Sequence, residues 1–210
     1  MLHENMQLEE CILFSAGFHP WYINEDMDEE EMFRQLMNSA KKPNCIMIGE
    51  SGIDKIKGPS ITKQAWIFLQ HIQVAEQLEK PLIIHAVKSL EEILAYKQQF
   101  PQVSAWIIPG FNSKKEIVLQ WIRHGSYLSF GKEICLSSHP AVQALKSIPT
   151  IHLLLETDES IIPIITIYQC AANLLSVSEE ALEEIISSNV RKIIPVYEQY
   201  MDAANSHFDR

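Results

Sequence analysis

Three short apolar runs in this chain each stop on a residue that can hold a metal ion. Cys45-Ile46-Met47-Ile48-Gly49 ends on Glu50, Leu82-Ile83-Ile84 ends on His85, and Leu153-Leu154-Leu155-Glu156-Thr157 ends on Asp158. Two carboxylates and an imidazole make a donor set suited to Zn²⁺, Mn²⁺ or Mg²⁺. Each residue alone has a plainer reading. Glu50 could cap a helix or pair with Lys55, His85 could be a hydrogen-bonded core histidine, and Asp158 could start the helix that follows. The three together point elsewhere. Runs without polar alternation read as strands buried on both faces, the pattern of a parallel sheet. In a parallel α/β barrel the C-terminal strand ends are where functional groups collect, so the three are expected in one cleft.

Strands and helices alternate along nearly the whole sequence. Strands are expected near 12–17, 45–50, 82–85, 105–108, 127–131 and 153–158. Helices are expected near 28–40, from Thr62, after Ser89, after Ser113 and beyond His139-Pro140. Ser89 with Glu92, and Ser113 with Glu116, have capping-box spacing. Three further helical stretches follow, near 161–175, 178–187 and 189–204, with Pro195 positioned to kink the last. Such alternation implies right-handed βαβ crossovers.

Bulk properties narrow the class. The 210 residues suit one domain, 1–210, and 47% hydrophobic with 21% charged residues is ordinary for a globular protein. A net charge of −10 argues against a passive nucleic-acid binder, although six of the 27 acids fall between Glu25 and Glu31. Cys11, Cys45, Cys135 and Cys170 are widely spaced, against a zinc-ribbon or thioredoxin-type motif. Cys11 and Cys45 read as buried thiols in a reducing compartment. Without a long apolar span or a signal-like N-terminus, the expectation is a cytoplasmic protein with no membrane contact.

Five motifs in order give the chain a family resemblance. Gly17-Phe18-His19-Pro20, Ile48-Gly49-Glu50-Ser51-Gly52-Ile53-Asp54, Lys80-Pro81-Leu82-Ile83-Ile84-His85, Leu154-Leu155-Glu156-Thr157-Asp158 and Asn189-Val190-Arg191-Lys192 resemble those of the TatD-related metal-dependent hydrolases. The resemblance implies a TIM-barrel-like fold and a DNase-like phosphodiesterase using divalent metal. It implies Glu50, His85 and Asp158 as metal ligands. Asp158 would also activate the attacking water, and His19 would orient ligands or touch substrate phosphate.

Departures from the family pattern are equally specific. Its first two strands, with their H-x-H ligands, have no counterpart. Pro109 stands where an H-C-F histidine is usual, and Ile161-Ile162-Pro163-Ile164-Ile165 replaces a basic segment. The expected result is an incomplete barrel of about six parallel strands, one divalent ion at most (Mg, Mn or Zn), and weak or absent activity. The alternative is a catalytically inactive relative acting in binding or assembly. DNA or a small phosphoester is the expected substrate. Met1 to Glu10, a C-terminal helix or a second copy of the chain is expected over the open sheet edge. Trp21 and Tyr22 either line the cleft or pack as ordinary aromatics.

Overall fold

Apolar residues on both faces define the strands. β1 (Phe14–Ala16), β2 (Cys45–Asp54) and β3 (Leu82–Val87) pair in parallel in that order. β4 (Trp106–Ile108), β5 (Tyr127–Phe130) and β6 (Leu153–Leu155) do the same. The computed structural model describes residues 12–194 and Tyr197. Within it the contacts gather into two compact units. One runs to Ser104 and takes in Ile193 and Ile194, and the other runs from Ala105 to Lys192. The six parallel strands expected from the sequence are therefore present, in an α/β fold.

In the first unit the helices are α1 (Glu29–Ala40), α2 (Ile61–Gln77) and α3 (Leu90–Gln99). Asp28 starts α1 by accepting the Glu30 and Glu31 N–H groups at 2.9 and 3.2 Å, and three glutamates in the first turn suit the positive helix end. The face it buries is Met32, Leu36 and Ala40, four residues apart. α2 buries Ile67, Phe68, Ile72, Val74 and Ala75, while Trp66 and Leu69 are half-buried.

The second unit holds α4 (Lys115–Arg123), α5 (Pro140–Ser147), α6 (Ile164–Leu175) and all but the last residue of α7 (Glu179–Ile193). Its core includes Trp106, Leu128, Phe130, Leu145 and Leu153, all fully enclosed.

Several local expectations need correction. β2 does not stop at Glu50 and β3 does not stop at His85. Pairing of Gly52 with His85, Ile53 with Ala86 and Asp54 with Val87 carries both strands further. Glu50 and His85 thus lie inside strands. Neither capping box forms: the Ser89 hydroxyl donates to the Ile53 carbonyl at 2.6 Å, and α4 starts after Lys114 instead of Ser113. The helices expected at 178–187 and 189–204 are one helix through 193, because Asn189 stays helical and turns its side chain to the core. Pro195 and Met1 to Glu10 lie outside the described residues. β1 pairs only with β2, and β6 only with β5, among the described residues.

Cys135 and Cys170 form a disulfide, a pairing that their spacing of 35 residues did not announce. Cys45 is a buried free thiol, as expected, and Cys11 falls outside the described residues. No described helix is long and apolar enough to cross a membrane.

Gly52 permits the close approach of β2 and β3 beside the candidate ligands, since a Cβ there would overlap the His85 carbonyl oxygen. Gly52→Ala should cost about 3 kcal/mol as the strands are forced apart. Urea unfolding measures this, and an unchanged midpoint would show that the approach is not needed.

Candidate metal centre

Glu50 and His85 face the same space from adjacent strands, and His19 joins them from the turn after β1. Pro20 fixes the start of a 3-10 turn over Pro20–Tyr22, and His19 caps it, Nδ1 accepting the Trp21 N–H at 3.1 Å. His19 Nε2 then lies 3.0 Å from His85 Nδ1 and 3.7 Å from Glu50 Oε1, and His85 Nδ1 lies 3.1 Å from Glu50 Oε1. These three atoms make the one mutually close group of possible metal donors found among the described residues.

The hydrogen bonds assign the protons. His85 Nε2 is 2.9 Å from Asp54 Oδ2 and must donate to that carboxylate. In the neutral ring this leaves a lone pair on Nδ1. His19 uses its Nδ1 lone pair for the Trp21 N–H, so its proton sits on Nε2 and points at His85 Nδ1. The Nδ1 lone pair of His85 and the Glu50 carboxylate consequently face each other at 3.1 Å. Two electron-rich atoms so close call for a cation, either a proton on His85 or a metal ion.

Charge shifts follow the same logic. Burial favours neutral His85, but hydrogen bonds to Glu50 and Asp54 outweigh it and raise its pKa. His19 is lowered, first by burial and then by the neighbouring His85 charge. For Asp54, burial pushes upward. Hydrogen bonds from Trp21 Nε1, His85 and the Ile56 and Lys57 N–H groups outweigh it and hold the carboxyl at about 2.

A metal fits this donor set. With ligand bonds of ~2.0–2.1 Å, the edges of a tetrahedral site measure about 3.3 Å, and the three observed separations bracket that value. A histidine ligand whose other nitrogen donates to a carboxylate is a recurrent metal-site arrangement, and Asp54 supplies that carboxylate. His19 can ligate through Nε2 only by moving its proton to Nδ1 and giving up the Trp21 bond. As arranged, it is a hydrogen-bond donor to this space.

Asp54 was missed as a functional residue, although it ends the I-G-E-x-G-I-D run. It is 2% exposed, and its backbone is clamped by Gln64, whose Oε1 accepts the Asp54 N–H at 2.7 Å and whose Nε2 donates to the Asp54 carbonyl at 3.1 Å. Nothing in the sequence spacing pairs Asp54 with Trp21 at 2.6 Å, because β2 had to be extended to bring them together.

The other motif residues lie in the second unit. Asp158 follows β6, exposed, with a left-handed backbone at φ 49°. It is not the start of α6, whose cap is Pro163. Glu156 accepts the Gly110 N–H next to Pro109. Asn189 is structural: its side-chain N–H₂ donates to the Thr150 and Leu153 carbonyls at 2.7 and 2.9 Å, fastening α7 beside β6.

The chain matches the family model described as TatD related DNase over residues 2–195. It is 27% identical over 150 residues to an uncharacterized metal-dependent hydrolase of Buchnera aphidicola, covering 70% of this chain and 56% of that protein. It is 26% identical over 164 residues to the human 3'-5' RNA nuclease TATDN2, covering 75% of this chain and 21% of that one. The chain thus spans little more than half of the bacterial relative. Its fold is similar to that of YJJV, a TatD homolog from Escherichia coli, with a TM-score of 0.79 at 17% identity over 93% of this chain and 80% of the other.

One buried group near the centre makes stability pH-dependent. His71 Nε2 accepts the Phe18 N–H at 2.9 Å while Nδ1 donates to the Ile67 carbonyl at 2.7 Å, and burial pushes its pKa down to about 4. The unfolded ring binds a proton near 6.5 and the folded one does not. The stabilisation is therefore full above about 6.5 and lost as pH falls toward 4, on the order of 3 kcal/mol in all. Urea unfolding across this range should show a steeper loss for the wild type than for His71→Gln. Parallel curves would remove His71 from the account.

Proposed function

On the premise that this chain belongs to the TatD-related DNase family, we propose that it is a divalent-metal-dependent phosphodiesterase, with Glu50 and His85 holding one cation. The observation that carries the proposal is the convergence of their donor atoms, with Asp54 fixing the proton on the far side of His85. A divalent ion held there would polarise a phosphate oxygen and lower the pKa of its water from about 15.7 to about 7.

The side chains divide the remaining work. Glu50 supplies negative charge and His85 a neutral nitrogen. His19 directs its Nε2–H toward the same space, where it can donate to a phosphate oxygen. Activation of the attacking water is assigned to Asp158, which also completes the expected ligand set; this part rests on the L-L-E-T-D motif alone. DNA or a small phosphoester as substrate, a cytoplasmic location, a single domain over 1–210 and self-association over the open sheet edge belong to the same reading. They rest on sequence.

A second reading, a catalytically inactive relative that binds or assembles, is favoured by Pro109 and by the apolar stretch Ile161 to Ile165, which is largely exposed. Two measurements separate the readings. Elemental analysis of protein purified without chelator should find up to one divalent ion per chain, lost in Glu50→Gln. Cleavage of single-stranded DNA with Mn²⁺ should be slow, and Asp158→Asn should reduce it at least about a hundredfold. An empty centre after metal supplementation would decide for the inactive relative.

A further inference from the structure

The second unit carries a pair of sulfurs that the metal chemistry does not use. Cys135 closes the 3-10 turn Lys132–Cys135 that follows β5, and Cys170 sits in the middle of α6. Their Cα atoms are 5.6 Å apart, and their sulfurs are bonded. Between β6 and α6 the chain makes an excursion. The Glu156 N–H donates to the Phe130 carbonyl at 3.1 Å, which fastens the end of β6 to the end of β5. The chain then runs out through Thr157 to Pro163 and returns as α6. The disulfide ties that returning helix to the turn after β5, so the excursion, which carries Asp158, is held at both ends.

The excursion itself has little to hold it. Asp158, Glu159 and Ile161 are exposed, Ile161 completely. Its hydrogen bonds are local: the Ser160 N–H donates to the Thr157 carbonyl at 3.0 Å, and the Ile162 N–H to the Ser160 hydroxyl at 3.1 Å. The contact that the disulfide crosses is better packed. Ile134, just before Cys135, is buried, as are Ile167 and Ala171 on the Cys170 side of α6. The helix therefore keeps an apolar anchor without the bond. Both bonded cysteines are half-buried, whereas the free thiol of Cys45 is buried, and Cys135 opens onto the exposed run Leu136 to Ser138.

A cross-link at the edge of an intact apolar contact can be cut without unfolding the chain, and exposed disulfides are the labile class. We propose that the Cys135–Cys170 bond is a thiol-exchange site that clamps the Asp158 excursion and releases it on reduction by a dithiol. One thiolate of the dithiol attacks Cys135 Sγ from the exposed side. The S–S bond breaks, and Cys170 leaves as a thiolate that takes up a proton. The second thiolate then attacks the dithiol sulfur bonded to Cys135 and expels Cys135, which is protonated in turn. Two electrons pass to the protein, which ends with two thiols, and the dithiol ends as a cyclic disulfide. The proposal rests on the phosphodiesterase reading only for its effect on turnover, since that reading gives Asp158 the attacking water.

The clamp is tested on the full chain by thiol mapping and hydrogen exchange, apart from catalysis. Mass spectrometry of protein purified without reductant, its free thiols alkylated, should find Cys135 and Cys170 linked. Millimolar dithiothreitol should open the bond while near-ultraviolet circular dichroism keeps the folded signal. Amides of residues 157–162 should then exchange about tenfold faster, with those of β2 and β3 unchanged. Cys135→Ser and Cys170→Ser should each show the fast exchange without reductant. Oxidised glutathione should restore slow exchange to the reduced wild type and to neither variant. Free thiols at both positions in the untreated protein, a bond that opens only with global unfolding, or equal exchange of 157–162 in both forms would overturn the proposal. A chain that shows these exchange changes but cleaves no DNA with Mn²⁺, oxidised or as Cys135→Ser, supports the clamp and counts against the phosphodiesterase reading instead.

Discussion

The buried carboxylate of Asp54 holds the candidate centre together. One oxygen accepts from Trp21 and His85, the other from two successive backbone N–H groups, so four donors converge on a side chain only 2% exposed. An isolated charge at that depth would cost several kcal/mol or protonate. The donors instead hold it ionised, at about 2. From that one fixed charge follow the proton on His85 Nε2, the lone pair on Nδ1, the orientation of Trp21 and the course of the chain through Lys57.

Proton placement also separates His19 from the other two donors. Glu50 and His85 can accept a cation without changing tautomer, once the His19 N–H turns away from His85 Nδ1. His19 cannot, because its Nδ1 caps the turn that carries Trp21 and Tyr22. The turn therefore both aims an N–H at the space between the donor atoms and carries the exposed Trp21 and Tyr22 rings.

Much of this was legible in the sequence, for identifiable reasons. Apolar runs mark the strands because both faces are covered, and Glu50 and His85 stand out because a polar residue interrupts such a run. Where β2 ends was not legible. Its last residues are extended by pairing with β3 and by Gln64, contacts between segments that no local pattern reports. Asp54 was hidden by the same cause. Local rules failed at Ser89, whose hydroxyl found a stronger claim in the Ile53 carbonyl than in its own helix. Asn189 belongs to a motif that carries the family resemblance, and it is a buried fastener. The Cys135–Cys170 bond depends on the packing of separate elements, which spacing does not encode.

The central claim is that Asp54 prepares His85 for a metal by dictating where its proton sits. Asp54→Asn tests it with little change of shape, although the Trp21 indole N–H loses its acceptor, which the unfolding measurement must account for. The amide introduced there can still accept the Ile56 and Lys57 N–H groups, but turned so, it offers N–H₂ to His85. The ring must then accept at Nε2 and carry its proton on Nδ1, between the candidate ligand atoms. Calorimetric titration with Mn²⁺ should show affinity falling about 10- to 100-fold relative to the wild type, while the unfolding midpoint confirms an intact fold. Equal affinity in a folded Asp54→Asn protein would contradict the account.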